Sequence, residues 1–388
     1  MLYLDHAATT PVRPDVLDAM LPYLRGAYGN PSSHHTVGEA AAAALADARR
    51  RVAAVVGMRP ADIVFTSGGT EADNLAVKGI AIGTALRRGE AVHVVTTPIE
   101  HEAVLASCDY LERVHGVAVT RVPVDETGRV DPAHVAAALR PESALVSVGY
   151  ANNEIGTVQD VAGLAEVTAA AGVPLHLDAV QAAGWLPLAG TGADALSIAG
   201  HKIGAPAGIG VLAVRGRLPL EPVLHGGGQE RDRRSGTENL AGAVAMATAL
   251  ELAEAERVEA SARVSALRDR FIATVLGLVP TARLTGHPRY RLPGTASFTF
   301  TGTSGEAVLL ELERRGIVSS SGSACAAGSD EPSHVLLALG IDPEVAQTAV
   351  RITFAHDLGR TDPVQAAAEL DLVADAVASS VAAVRSGP

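Results

Sequence analysis

The chain has only two lysines, Lys78 and Lys202, among its 31 basic residues. Arginine carries the positive charge elsewhere, in a composition biased toward Ala, Gly and Val. A position that stays lysine against that bias calls for chemistry that a guanidinium lacks. An amine can lose its proton and attack a carbonyl to form a Schiff base. Lys202 lies in Ser197-Ile-Ala-Gly-His-Lys-Ile-Gly, after a strand-like run and inside a Gly-bounded turn. A covalent cofactor anchor belongs in such a place. Lys78 reads instead as a solvated cation that closes a helical stretch before Gly79 and complements the helix C-terminus.

Other shortages exclude whole classes. Two cysteines, Cys108 and Cys325, make no disulfide framework in 388 residues, so a cytoplasmic setting is expected. No apolar run is long enough to span a bilayer, and Met1-Leu-Tyr-Leu-Asp-His lacks the basic-then-apolar order of a signal peptide. A net charge of -12 argues against broad nucleic-acid binding, with Arg49-Arg50-Arg51 and Arg231–Arg234 as local basic exceptions. Neither a membrane nor a direct nucleic-acid partner is expected, and no metal site is read. No repeat of fixed period is present, and low complexity is limited to Ala tracts such as Ala40–Ala44.

What is present is apolar and ordered. With 48% hydrophobic residues the chain can bury a large core. Its length corresponds to about two or three core units. Strand-length runs occur at Ile63–Thr66, Val92–Thr97, Val117–Val124, Ala144–Tyr150, Pro174–Asp178, Ala195–Ile198 and Gly210–Val214. Helix-length segments separate several of them: Glu71–Arg88, Glu100–His115 and Asp160–Ala171. This α/β alternation predicts a mostly parallel sheet with helices on both faces, and ligands gather at the carboxyl ends of such strands.

Leu240–Leu276 is helical in period, without Gly or Pro between Val244 and Val275, and links the sheet to a smaller α+β domain. That domain has expected strands near Ala296–Phe300 and Val350–Phe354. Its expected helices lie near Gly305–Arg315, Pro332–Leu339 and Pro363–Val384.

Several short segments carry chemistry. Thr66-Ser-Gly-Gly-Thr-Glu-Ala turns from a strand end into a helix, where bare amides, the helix dipole and the Thr70 hydroxyl suit a phosphate. The same turn also serves as a plain helix cap. His176-Leu-Asp-Ala-Val-Gln ends an apolar strand. Asp178 there needs a cationic or donating partner, such as a protonated pyridine nitrogen, or else caps the next helix. Gln181 could donate to a phenolic oxygen. His101, in Ile99-Glu-His-Glu-Ala-Val, could stack on a ring and shuttle protons, although a histidine at a helix start also has structural uses.

Taken together, a phosphate turn, an acid for a ring nitrogen and a lysine for an aldehyde are what pyridoxal phosphate requires. Cys325 sits in Ser319-Ser-Ser-Gly-Ser-Ala-Cys-Ala-Ala-Gly-Ser, a small polar run suited to an exposed thiolate that attacks a substrate. Cys108, in a helical segment, reads as a packing residue. Arg351 can hold a carboxylate bidentately or make a domain-interface salt bridge.

Eight segments give the chain a resemblance to cysteine desulfurases of the iron–sulfur-cluster and nitrogen-fixation type, pyridoxal-phosphate enzymes of the class V aminotransferase family. They are Gly29-Asn-Pro-Ser-Ser, Thr66-Ser-Gly-Gly-Thr-Glu, Ile99-Glu-His, Asn152-Asn-Glu-Ile-Gly-Thr, Asp178-Ala-Val-Gln, Gly200-His-Lys, Arg234-Ser-Gly-Thr-Glu-Asn and Ser320-Ser-Gly-Ser-Ala-Cys. The resemblance runs from Leu2-Tyr-Leu-Asp-His-Ala-Ala-Thr-Thr-Pro past Arg351, nearly the whole chain.

The resemblance implies the aspartate-aminotransferase-like fold (fold type I). Residues 13–260 would form a large cofactor-binding domain with a mostly parallel seven-stranded sheet. Residues 1–12 and 261–388 would form a small domain carrying the catalytic cysteine loop. It further implies that Lys202 forms the Schiff base with pyridoxal 5'-phosphate, Asp178 pairs with the pyridine nitrogen and Gln181 contacts the ring oxygen. His101 would stack on the ring and move protons. Gly69, Thr70 and His201 would hold the phosphate, with Thr237 reaching over from the partner subunit of a homodimer. Asn153 and Arg351 would orient substrate.

One departure is Ala199, where family members often carry a serine that would add a phosphate hydroxyl. The implied activity is removal of sulfur from L-cysteine, giving L-alanine and a persulfide on Cys325 for a sulfur-acceptor protein. Rival readings are a selenocysteine lyase or transaminase on the same fold, which would not depend on Cys325, and a non-catalytic sulfur-transfer scaffold. The intact Lys202, Asp178, His101 and Cys325 set argues against the scaffold.

Overall fold

The computed structural model describes residues 1–321 and 331–386. A short strand, β1 (Leu2–Tyr3), precedes helices α1 (Pro14–Arg25) and α2 (Thr36–Val56). Alternation then sets in with β2 (Ile63–Thr66), α3 (Gly69–Arg88), β3 (His93–Thr96), α4 (Glu102–His115) and β4 (Ala118–Arg121). It continues through α5 (Pro132–Ala138), β5 (Ser143–Gly149), α6 (Val161–Ala171), β6 (Leu175–Asp178), β7 (Ala195–Ala199) and β8 (Gly210–Val214). The long α7 (Leu240–Leu278) leads to β9 (Ala282–Leu284), β10 (Thr295–Phe300), α8 (Gly305–Arg314) and β11 (Ile317–Val318). Beyond these come α9 (His334–Ala338), α10 (Pro343–Ala346), β12 (Val350–Thr353) and α11 (Pro363–Ser386).

Seven strands form one sheet in the order β2-β8-β7-β6-β5-β3-β4. Neighbours run parallel except around β8, which is antiparallel to both β7 and β2. The exception has a simple cause. Residues 200–209 join β7 to β8 without a crossover helix, and a short connection reverses the chain.

Adjacent residues on the strands feed opposite cores. Val64, Val94 and Leu145 pack with α3 and α4, whereas Phe65, Val95 and Val146 pack toward α2 and α7. This period-two split on a sheet covered on both sides is why its strands read as continuous apolar runs. Each fully buried aliphatic or aromatic side chain contributes about 1.5–3 kcal/mol.

A separate core gathers α11, the C-terminal half of α7 and the sheet β12-β10-β9 around Phe271, Phe298, Phe300 and Phe354. Strand β1 pairs in parallel with β11, Leu2 opposite Ile317 and Tyr3 opposite Val318, so the start of the chain belongs spatially with its C-terminal third.

One expectation needs correcting. Lys78 does not close a helix: α3 runs on to Arg88, and Lys78 lies over the Tyr110 ring at 4.8 Å. Helix α3 passes through Gly79 because the chain at 219–221 packs on it. Glu221 N donates to Gly79 O at 2.9 Å, and a Cβ on Gly79 would stand 2.7 Å from Glu221 O. The Ala40–Ala44 tract lies in α2, whose buried face includes Ala41, Leu45, Ala48, Val52 and Val56, spaced three and four apart.

Candidate active site

The carboxyl ends of the parallel strands carry the site. Strand β2 turns through Gly68 into α3, β6 ends at Asp178, and β7 runs into a single 3-10 turn holding His201 and Lys202. Residues 97–101 follow β3 and place Glu100 and His101 before α4. These ends enclose a cleft of about 380 Å³.

Lys202 and Gln181 share a partner. Lys202 Nζ donates to Ala7 O at 2.5 Å and to Ala8 O at 2.7 Å, and Gln181 Nε2 donates to Ala7 O at 3.0 Å. His201 Nδ1 lies 3.2 Å from Thr9 Oγ1. The N-terminal segment therefore flanks the amine that the sequence marks as an anchor.

Asp178 Oδ1 accepts from Val180 N at 2.9 Å. Burial raises its carboxyl above the ordinary value, while the Val180 amide and the neighbouring His101 and Lys202 pull it back. His101 caps α4: its Nδ1 accepts from Ala103 N at 3.0 Å, which leaves the ring proton on Nε2. Burial, with the charge of Lys202, pushes His201 down to about 4, so its ring is a neutral donor at neutral pH.

Gly69 and Thr70 open α3. A Cβ on Gly69 would stand 2.7 Å from Val180 Cγ2 and 3.3 Å from Ala199 Cβ, so only a bare backbone lets the helix start approach this closely. Ala199 itself lines the cleft. Arg351 reaches the cleft from β12. Its guanidinium is bound to Asp5 Oδ1 at 2.7 Å and donates from Nη1 to Asn153 O at 2.8 Å.

Nine of the expected residues, Gly69, Thr70, His101, Asn153, Asp178, Gln181, His201, Lys202 and Arg351, thus line one cleft. Thr237 is exposed and stands apart from it. Its segment is fastened by Arg234 to Glu71 at 2.8 Å and by the buried pair Arg49–Glu230 at 2.6 Å. Cys325 lies outside the described residues. Cys108 is fully buried in α4, and burial pushes its thiol up to about 12, which removes it as a nucleophile.

Residues 2–362 match the family described as Aminotransferase class-V. The chain belongs to that family. It is 45% identical over 375 residues to an IscS-like cysteine desulfurase of Mycobacterium tuberculosis, covering 95% of both chains. Its fold is similar to that of a solved NifS-like protein, with a TM-score of 0.88 and 34% identity over 97% of this chain and 99% of that one. It is also similar to SspA, solved in complex with cysteine, at a TM-score of 0.79 and 34% identity over 91% of this chain and 99% of that one.

Class V aminotransferases use pyridoxal phosphate, and the residues present fit that group. The bare helix start at Gly69, the Thr70 hydroxyl and neutral His201 would offer donors to a phosphate. The half-buried carboxylate of Asp178 would suit a ring cation. One buried acceptor, Asp73 Oδ1, lines the same cleft with no hydrogen-bond partner among the described residues.

Sequence reading missed Asp73 and Glu100. Their only local signal was position next to residues already singled out. Asp73 lies three residues after Thr70 on the same face of α3, and Glu100 is the middle residue of Ile99-Glu-His. Among the described residues no group of three His, Cys, Asp or Glu side chains is arranged to hold a metal ion. No described helix is long and apolar enough to cross a membrane.

Proposed function

We propose that this protein is a cysteine desulfurase that takes sulfur from L-cysteine, releases L-alanine and carries the sulfur as a persulfide on Cys325. The observation that supports it most is the convergence of Lys202, Asp178, Gln181, His101 and Thr70 on one cleft at the strand ends. Pyridoxal phosphate, when bound there, supplies an aldehyde for the lysine amine and a ring that accepts electrons from the substrate α-carbon.

The chain's own residues do the rest. Thr70, the start of α3 and His201 hold the phosphate, Gln181 meets the ring oxygen, and Asp178 supports a positive ring nitrogen. Arg351 and Asn153 orient the substrate carboxylate. Lys202, as a free amine, takes the proton from the substrate α-carbon. Cys325 thiolate attacks the substrate sulfur, the carbon–sulfur bond breaks, and the sulfur stays on Cys325 as a persulfide. His101, with its proton on Nε2, is placed to donate as alanine forms.

Residues 13–260 act as the cofactor-binding domain, and residues 1–12 with 261–388 as the smaller one. The exposed Thr237 serves the phosphate of a second copy in a homodimer, and a sulfur-acceptor protein takes the persulfide. Incubation with L-cysteine, with alanine and sulfide both measured, tests this reading. Wild-type protein should form alanine in step with persulfide, and Cys325→Ser should form neither. Absence of alanine from the wild type, or unchanged release from the variant, would overturn it.

A further inference from the structure

Behind Asp178, in the floor of the cleft, lie two carboxyl side chains that the mechanism does not use. Glu100 is 3% exposed and Asp73 is 1% exposed, and both line the cleft. Three separate elements bring them together. Glu100 Oε2 accepts from Gly149 N at 2.6 Å, and Gly149 sits opposite Asp178 in the β5–β6 register. Glu100 Oε1 lies 2.6 Å from Thr97 Oγ1. Asp73, on α3, has Oδ1 3.7 Å from His176 Nε2, two residues before Asp178 on the same face of β6.

The charge balance of this group is unusual. His176 is not a counter-ion: burial holds it down at about 3, and its ring is engaged by Ser147 and Ser197, each at 2.9 Å. The cation beside Asp178 is Lys202, with the His101 ring also near it. Three carboxylates facing so little positive charge cannot all be ionised without a large desolvation cost. We propose that Glu100 and Asp73 are positioning residues that store a proton in the cofactor-free protein and give it up when a cation settles beside Asp178.

This inference rests on the reading of the cleft as a pyridoxal-phosphate site. Burial, reinforced by the Asp178 charge, pushes Glu100 up to about 8, and the same two causes raise Asp73 well above the ordinary carboxylate value. As a cation arrives, the O–H bond of Glu100 breaks and its proton passes to solvent or to the entering ring nitrogen. No electrons change hands. By either route, the protein with Glu100 returns up to about one proton more to solvent than a protein with a neutral amide there.

Calorimetric titration of cofactor-free protein with pyridoxal phosphate, repeated in buffers of different ionisation enthalpy, counts those protons. At pH about 7, wild type should release up to about one proton more than Glu100→Gln, and Asp73→Asn should shift the count in the same direction. The difference should vanish about two pH units above the Glu100 value, where Glu100 is already ionised. Equal proton counts at both pH values, with both proteins binding cofactor, would overturn the inference. Failure of wild type to bind cofactor would instead overturn the reading of the site. A carboxyl-carbon NMR titration of the cofactor-free wild type needs neither a variant nor cofactor. Glu100 titrating near 8 supports the stored proton, and titration at an ordinary carboxylate value sinks it.

Discussion

Arg351 and Asp5 form an ion pair of 2.7 Å in which the guanidinium is only 2% exposed. The pair joins the N-terminal segment to β12 at a residue that lines the cleft. A substrate carboxylate arriving at Arg351 therefore meets a guanidinium that already has a counter-ion. Asp5→Asn keeps an accepting oxygen but removes the competing charge. KM for L-cysteine should fall about 3- to 10-fold with kcat nearly unchanged. The thermal midpoint of the free enzyme should also fall, because a buried guanidinium has lost its compensating charge. Steady-state alanine formation reads the first effect, and a raised KM would mean that Asp5 assists substrate rather than competing with it.

Lys202→Arg separates charge from chemistry. The guanidinium can still donate to the Ala7 and Ala8 carbonyls that now receive Nζ, so the N-terminal segment should stay in place. It cannot lose its proton to form a Schiff base or to take the substrate α-proton. Alanine formation should drop by about 1,000-fold or more. Borohydride treatment of the cofactor-loaded protein should attach cofactor mass covalently to wild type and none to the variant. Retained covalent attachment would place the anchor elsewhere.

Much of this was legible in the sequence for a physical reason. A sheet covered on both faces writes itself as apolar runs, and Lys202 stands out where arginine does nearly all the cationic work. What stayed hidden depends on contacts distant in sequence. Strand β1 is two residues long and exists because Ile317 and Val318 pair with it. The run of α3 past Gly79 depends on the chain at 219–221. Asp73 and Glu100 look like ordinary helix and loop acids until β5 and β6 bring them behind Asp178. Arg351 showed two possible uses from sequence, a carboxylate clamp and a domain-interface salt bridge. The structure shows an ion pair with Asp5, a residue expected in the same small domain, at a position that lines the cleft.

The helix start at Gly69 should tolerate addition on one side only. Gly69→Ala drives a Cβ to 2.7 Å from Val180 Cγ2, so Val180 or the first turn of α3 must shift. Such overpacking costs about 1–3 kcal/mol and should weaken cofactor binding about tenfold. Ala199→Ser adds a hydroxyl to a lining position without moving the backbone. It should strengthen cofactor binding about 3- to 10-fold, the net worth of one added ordinary hydrogen bond. Fluorescence titration of cofactor-free protein measures both. Weaker binding by Ala199→Ser would mean that the hydroxyl crowds Gly69 instead of facing the phosphate.

His176 and Glu100 should tilt stability in opposite directions with pH. His176 is fully buried between Ser147 and Ser197, and burial lowers it from 6.5 to about 3. Above 6.5 it is neutral in both the folded and unfolded chain and contributes no slope. Between 6.5 and about 3 the unfolded chain takes a proton that the folded chain refuses. Stability therefore falls as pH falls through that window, by up to about 1.4 kcal/mol per pH unit. Glu100 works the other way. Burial raises it from 4.5 to about 8, so the folded chain holds a proton the unfolded chain has released, and stability falls as pH rises across that interval. His176→Gln keeps hydrogen-bonding groups near both serines and removes the titration. Urea denaturation of the cofactor-free protein should then show an acid-side slope shallower by about one proton, with the alkaline side unchanged. Equal acid-side slopes in the two proteins would mean that folded His176 takes its proton as readily as the unfolded chain does.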